Sequence, residues 1–451
     1  MSKLTFTILV ALIVSTFSVV QAQSPESIYR PRIVASGQTK TSRSKFQEPA
    51  TQSQSQSRST EKTEPRPGKT ATRSGESFPS KSANIPATRT QQGVEASKSV
   101  STEDLSSVKS LSPHRIRTRV NEAERLMKTR AQLTAMPVPA IDLVTVAALL
   151  PETSQIHLMR LPKQAFLTKN AEIALTSSLG LPVQMRVLRA NGVNTAVTIF
   201  DDKNRALIPL VVEFPIERKG VFREMAYYTS AHPALLSPEL MKAGQAYVNS
   251  MVDLAAKRLR DKGVPIAQNL IDVAKRLCIV EHVDHDRFRN ENRIALFEEI
   301  YSLYALNELD TYRYSVSSAG AGGMVQMIPW TYNLMRQRHP GVGLNPDFVA
   351  GMRNHGNALE SMLLYMHDTW ADLLANEDIQ AVIAAKQATP AEIMAAGYNS
   401  NAAKLPGYIR RAGAGWRSLI PRETQMYLQI YQSLDSLMKP KENHSRKASA
   451  R

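Results

Sequence analysis

From Gln23 to Pro113 the chain holds too few apolar residues to build a core, and this confines folding to the residues that follow. Ser, Thr, Gln, Lys, Arg and Pro dominate the stretch, as in Thr51-Gln52-Ser53-Gln54-Ser55-Gln56-Ser57. Ordering a residue costs about 1–2 kcal/mol of backbone entropy, and little apolar burial is on offer here to oppose it. Residues 23–113 therefore read as a disordered basic linker. The only cysteine, Cys278, lies in an apolar stretch and has no partner for an intramolecular disulfide. It reads as a small buried hydrophobe, so stability must come from a packed core. A length of 451 residues allows two or more domains.

Ahead of the linker, Lys3 precedes an apolar run from Leu4 to Val20, and Val20-Gln21-Ala22 forms a small-residue cleavage pattern before Gln23. Residues 1–22 are expected to be a signal peptide. A retained anchor is the competing reading, but Thr5, Thr7, Ser15, Thr16 and Ser18 interrupt the run, which falls short of the ~20 apolar residues of a span. No later segment approaches that length, and no cysteine follows the run to accept lipid. The expected product is exported to the periplasm or cell envelope, with no retained membrane span. There a net charge of +16 favours cell-wall polymers or lipid surfaces over nucleic acid. More than half of that excess lies between Gln23 and Val120, so the linker is either a solvated spacer or a weak adhesive for a polyanionic wall.

Order is expected to begin with a helix near His114 to Leu133, where Val120, Ala123, Leu126 and Met127 fall at helical spacing. A strand-rich module follows, within residues 114–232. Val183, Met185 and Val187 alternate with polar residues, Asn191-Gly192 offers a two-residue hairpin turn, and Thr195 to Phe200 supplies the return strand. Asp201 to Arg205 reads as a polar turn, and Leu207 to Phe214 as a strand in which Pro209 demands an edge or a bulge. This module carries no catalytic constellation and reads as a packing or binding accessory.

Residues 233–291 read as a helical segment. Ser237-Pro238-Glu239 has a cap residue followed by Pro at the first helical position, and Leu240, Tyr247, Met251, Leu254 and Ala255 mark an apolar stripe. A second helix from Pro265 to about Val280 ends in Glu281-His282-Val283-Asp284-His285-Asp286. Imidazoles and carboxylates can bind divalent ions, but this cluster lacks a known ligand spacing and reads as a capped, solvated turn. No metal is expected.

A third helix carries Ile294, Phe297, Tyr301, Tyr304 and Glu308 at intervals of three, four, three and four residues, which places them on one face. A carboxyl group continuing such a stripe loses hydration, and its protonated form is favoured. That is the state required of a general acid. An acid that simply reaches water at the helix end is the alternative reading. Twelve residues on comes Gly320-Ala321-Gly322-Gly323-Met324-Val325-Gln326-Met327-Ile328-Pro329-Trp330-Thr331, where glycines permit sharp turns and Gln326 offers both donors and acceptors.

At these residues the chain resembles the soluble lytic transglycosylases and goose-type lysozyme. Their acid, later Ser, and Gly-Ala-x-Gly-Leu-Met-Gln-x-x-Pro-x-Thr run match Glu308, Ser317, Gly320, Ala321, Gly323, Gln326, Pro329 and Thr331. Two further landmarks fall in the same order as in that family. These are Tyr398-Asn399, and Glu423-Thr424 three residues before Tyr427. The resemblance covers residues 292–438 and implies an α+β protein. A mainly helical, lysozyme-like catalytic domain would follow the β-rich module, and a basic tail would close the chain at 439–451. It also implies Glu308 as the catalytic acid, with Ser317, Gly320, Gln326, Tyr398 and Asn399 binding substrate. Leu309 departs from the family's usual Ser beside the acid, Met324-Val325 from its Leu-Met, and Ile328 from its Met.

Hydrolysis by the common glycosidase route needs two carboxyl groups flanking the bond. Asp310 would point away from Glu308 on a helix, and the Gly-rich run holds no acid. A single acid suits the activity the resemblance implies, peptidoglycan lytic transglycosylation between N-acetylmuramic acid and N-acetylglucosamine, without cofactor. Glycan strands are the expected partner, together with envelope proteins reached through the β module or the linker. A lysozyme-like hydrolase, or a catalytically decayed wall-binding scaffold, remains the alternative.

Overall fold

A computed structural model describes residues 112–130, 141–317 and 319–438. The expected signal peptide, nearly all of the linker and the basic tail lie outside the described residues. The protein is mixed α+β. Helix α1 (Pro113–Thr129) leads into seven strands, β1 (Leu143–Leu150), β2 (Gln155–Pro162), β3 (Glu172–Thr176), β4 (Pro182–Arg189), β5 (Ala196–Asp201), β6 (Ala206–Arg218) and β7 (Val221–Tyr228), with the short α2 (Lys163–Phe166) after β2. Helices follow as α3 (Pro238–Asp261), α4 (Gln268–Val280), α5 (His285–Asn290), α6 (Arg293–Asn307) and α7 (Pro329–Arg338). The remainder are α8 (Phe348–Arg353), α9 (His355–Leu374), α10 (Glu377–Ala384), α11 (Pro390–Asn399), α12 (Leu405–Ala412) and α13 (Arg422–Met438).

The strands form one antiparallel sheet in the order β2-β1-β6-β5-β4-β3, with β7 also paired to β6. It curls until its ends meet, for the Ser178 amide donates to the Leu158 carbonyl at 2.8 Å, and Met159 and Leu161 of β2 share a cluster with Val183 and Met185 of β4. Strand β1 is buried on both sides because Val144, Val146 and Ala148 face the inside of the curl while Ala147 and Leu149 lie beneath α1. The expected alternation of Val183, Met185 and Val187 is present, all three being buried between exposed neighbours.

Pro209 is accommodated by a bulge. Ala147 of β1 pairs with Val211 and Ala148 with Pro209, which leaves Leu210 as the extra residue. The parity of β6 switches there. Ile208, Leu210 and Val211 pack beneath α1, whereas Leu207, Val212 and Phe214 point into the curl. The hairpin from β4 to β5 also forms, but not through a two-residue turn at Asn191-Gly192. A turn of 3-10 helix spans Gly192–Asn194, and the Thr195 hydroxyl closes the loop by accepting from the Asn191 amide at 3.0 Å and donating to the Gly192 carbonyl at 2.8 Å.

Ser237 caps α3 as expected, its side chain accepting from the Leu240 amide at 3.2 Å. Of the expected stripe, Leu240 and Ala255 are buried and Tyr247 and Met251 pack on the core, but Leu254 does not. Gly244, Val248, Val252, Ala255 and Leu259 are buried, while Leu254 is 48% exposed. The reason is close packing against α6. A Cβ built on Gly244 would stand 1.7 Å from the Tyr301 carbonyl oxygen, so only glycine permits this approach. Helix α6 is accordingly a core helix, buried without interruption from Ile300 to Ala305, while Ile294 at its start is 50% exposed.

Gly244→Ala is expected to destabilise the fold by more than the ~1–3 kcal/mol typical of overpacking, because backbone rather than a side chain must move. A urea titration of wild type and variant should show a lower midpoint. An unchanged midpoint would mean that α3 and α6 are not packed this closely.

Candidate functional site

Helix α6 ends at Asn307, not beyond Glu308. Glu308 takes φ 42° and ψ −118°, a backbone state that suits glycine, and its side chain is 59% exposed. The expected continuation of the apolar stripe thus stops one residue short of the acid. Three tethers make this break. The Asn307 side chain pairs with both backbone groups of Thr229 after β7, accepting from its amide at 2.8 Å and donating to its carbonyl at 2.9 Å. The Thr311 amide donates to the Glu308 carbonyl, and the Thr311 hydroxyl to the Leu303 carbonyl. His355 donates through Nε2 to the Thr311 carbonyl at 2.7 Å while its Nδ1 accepts from the Tyr247 hydroxyl at 2.9 Å. Burial, then the negative charges of Glu308 and Asp310, push the Tyr247 hydroxyl above its ordinary pKa.

The Glu308 carboxylate meets Arg117 of α1, at 3.4 Å between exposed groups. Arg117 lies 191 residues upstream, and nothing in the spacing of the chain could have indicated the pairing. Asp310 is engaged by Arg313 at 3.1 Å, so Glu308 is not matched by a second free acid on its own segment. Leu309 is 61% exposed beside it.

The Gly-rich run folds into a tight loop held from several sides. Ser317 closes its entrance, its hydroxyl and amide bonding to the Ala321 amide and carbonyl at 3.0 and 2.8 Å, with Gly320 in the left-handed region at φ 77°. Gly323, at φ 66°, is close to protein rather than open to a ligand, because a Cβ there would lie 2.3 Å from the Met352 carbonyl oxygen. Gln326 is buried, its amide donating to the Gly323 carbonyl at 2.8 Å and the Ser315 hydroxyl at 3.2 Å. The Tyr398 hydroxyl donates to the Val325 carbonyl at 2.8 Å, and Asn399 accepts from Thr424 at 2.9 Å. Residues from the loop, the end of α11 and the first turn of α13 are therefore brought into one array. Sugar-facing roles for Gln326, Tyr398 and Asn399 are not what these contacts display. Gln326 and Tyr398 brace the loop, Asn399 ties α11 to α13, and Glu308 stands outside with Arg117.

The charged run after α4 divides into separate structural tasks. Glu281 accepts from the Tyr427 hydroxyl at 2.9 Å, and Asp284 caps α5 through the amides of Asp286 and Arg287. His282 stacks on Tyr312, with ring centroids 3.4 Å apart and planes at 2°, and its Nε2 donates to the Met324 carbonyl at 2.9 Å. Among the described residues no group of three or more His, Cys, Asp or Glu could hold a metal ion. A neighbouring cavity of about 330 Å³ separates the sheet from α6, and at its wall Glu299 binds Arg287 at 2.7 Å and Arg189 at 3.1 Å.

Comparison with known protein families, with curated proteins and with solved structures finds no match to this chain.

Two measurements follow from this geometry. A backbone outlier of this kind costs of order 1–3 kcal/mol, and glycine relieves it whereas alanine does not. Glu308→Gly should therefore be more stable than Glu308→Ala by about 1 kcal/mol in chemical denaturation, although both lose the Arg117 pair. Equal stabilities would show the backbone to be unstrained.

Burial lowers the His282 pKa to about 3 from an ordinary 6.5, and that of His232 to about 4. Below pH 6.5 the unfolded chain binds protons that the folded chain refuses, so stability falls as pH drops from about 6.5 towards 3. His282→Gln should show a shallower decline between pH 6.5 and 3 than wild type in urea midpoints measured across that window. Parallel profiles would place His282 in water.

Proposed function

We propose that the chain is a peptidoglycan lytic transglycosylase, with residues 292–438 as a lysozyme-like catalytic domain acting in the periplasm or cell envelope. The observation that carries this reading is convergence. Gln326 and Tyr398 are widely separated in sequence, yet both hold carbonyls of one loop just downstream of an exposed acid, and Asn399 beside Tyr398 bonds Thr424. Glu308 is held in a strained backbone state, and strain of this kind collects at functional sites.

In this reading Glu308 protonates the glycosidic oxygen between N-acetylmuramic acid and N-acetylglucosamine, and the substrate's acetamido group assists departure. The resulting carboxylate then takes the proton of the C6 hydroxyl. That oxygen attacks C1 and closes a 1,6-anhydro ring, which restores the acid. Arg117 is placed to stabilise the carboxylate between the two steps. The buried Gln326 and Tyr398 serve by keeping the loop in shape. The substrate itself provides the second reacting group, so the route calls for no cofactor.

A wall-binding scaffold is the second reading, and the ion pair on Glu308 with exposed Leu309 beside it favours that reading. Incubating the purified protein with peptidoglycan and separating the products by mass spectrometry decides between them. Anhydro-ended muropeptides are expected from wild type, with a loss of at least ~10²-fold in Glu308→Gln, the scale of general acid catalysis. Reducing ends alone would indicate lysozyme-like hydrolysis. Retention on sacculi without any product would leave the scaffold.

A further inference from the structure

A second cavity, of about 580 Å³, opens beside Leu309, the residue next to Glu308, and is bordered by four arginines. Arg218 and Arg223 come from the hairpin of β6 and β7, Arg313 from the segment after Glu308, and Arg353 from the end of α8. The hairpin is built to present its two. Lys219 and Gly220 both have positive φ, 54° and 74°, and form a two-residue turn that pairs Arg218 with Val221. One step along, Glu217 pairs with Phe222 and Ile216 with Glu224, so Arg223 is the extra residue of a bulge. Bulges re-aim the side chain they carry.

The other two arginines are already engaged. Arg353 pairs with Glu224, Arg313 lies 3.7 Å from the same carboxylate and 3.1 Å from Asp310, and both approach the Tyr314 ring. Asp347, the one acid on the cavity wall, caps α8 by accepting from the Ala350 amide at 2.7 Å. Arg218 and Arg223 are exposed, and among the described residues neither has an ion pair or a side-chain hydrogen bond. A guanidinium presents a planar fork suited to carboxylates. Two such forks thus face an open cavity that Leu309, the neighbour of Glu308, also lines, and no anion among the described residues is assigned to them.

We propose that this cleft receives the carboxylates of the peptide stems on the glycan, so that the β6–β7 hairpin selects strands bearing unmodified stems. The proposal rests on the reading of the chain as acting on peptidoglycan. The sugars of a peptide-substituted strand are neutral, so its negative charge resides in the stems, and the arginines would hold the strand by its side branches while Glu308 meets the backbone.

Binding can be measured apart from turnover by using full-length Glu308→Gln and soluble peptidoglycan strands. One set keeps its stem carboxylates and the other has them converted to amides. About tenfold weaker binding to the amidated strands is expected, and the same loss on native strands when Arg218→Ala and Arg223→Ala are added to the chain. The added changes should leave binding to amidated strands unaltered. The amidated strands test the idea without any change to the hairpin, so a folding defect cannot mimic the result. Equal affinity for both strand types, or no binding to either, would overturn the proposal. So would binding to phosphatidylglycerol vesicles that disappears with the two arginines while strand binding persists, since the cleft would then serve an anionic lipid surface. Missing anhydro products with the stem preference intact would instead refute the enzymatic reading alone.

Discussion

The close crossing of α3 and α6 at Gly244 is the constraint on which the rest of the site depends. Because that position has no Cβ, the Tyr301 carbonyl comes into the space a side chain would occupy, and α6 is set deep enough to be buried all round near its end. Tyr247, one turn further along α3, then reaches His355, which in turn holds the Thr311 carbonyl. A single helix therefore fixes both the helix before Glu308 and the chain after it. The sheet adds the third support through Asn307 and Thr229. Glu308 sits between these points and absorbs the backbone distortion they impose.

This arrangement separates rigidity from exposure. The Gly-rich run is held in place because its Gly323, Met324 and Val325 carbonyls accept from Gln326, His282 and Tyr398, and leaving those carbonyls unpaired would be costly. The acid is exposed because the same packing turns the chain out of the helix before the carboxyl group can be enclosed. A charged pair between exposed groups contributes little to stability, about 0–1 kcal/mol, so the Arg117 pair adds little to the fold. The β-rich module stands near the site on several sides, through Arg189 to Glu299, Glu224 to Arg353 and Thr229 to Asn307. A module whose sequence reads as a packing or binding accessory thus supplies walls and tethers around the acid.

Local physics made much of the architecture legible. Ser237-Pro238 marks a helix start because a hydroxyl can cap amides and Pro needs no donor there. Alternation at Val183, Met185 and Val187 reveals a strand with one buried face, and Pro209 within β6, which cannot donate to a ladder, calls for an edge or a bulge, of which the fold takes the bulge. Elsewhere a contact that spacing does not register decided the outcome. Asn191-Gly192 favours a tight hairpin, yet the Thr195 hydroxyl stabilises a longer loop. Leu254 fits an apolar stripe by spacing, yet the face with Gly244 is the one that buries, since only it lets α6 approach.

By itself the sequence determined where a core can form, that the core must stand without an intramolecular disulfide, and which acid precedes a glycine-rich turn, because these depend on composition and on contacts a few residues apart. Tertiary structure alone decided that Glu308 leaves its helix, that Arg117 meets it, that Gln326 and Tyr398 brace the loop through buried contacts, and that Asn399 bonds Thr424. Each of those outcomes turns on atoms separated along the chain and brought together by packing. Residue spacing carries no record of which of several satisfiable partners a buried polar group will take.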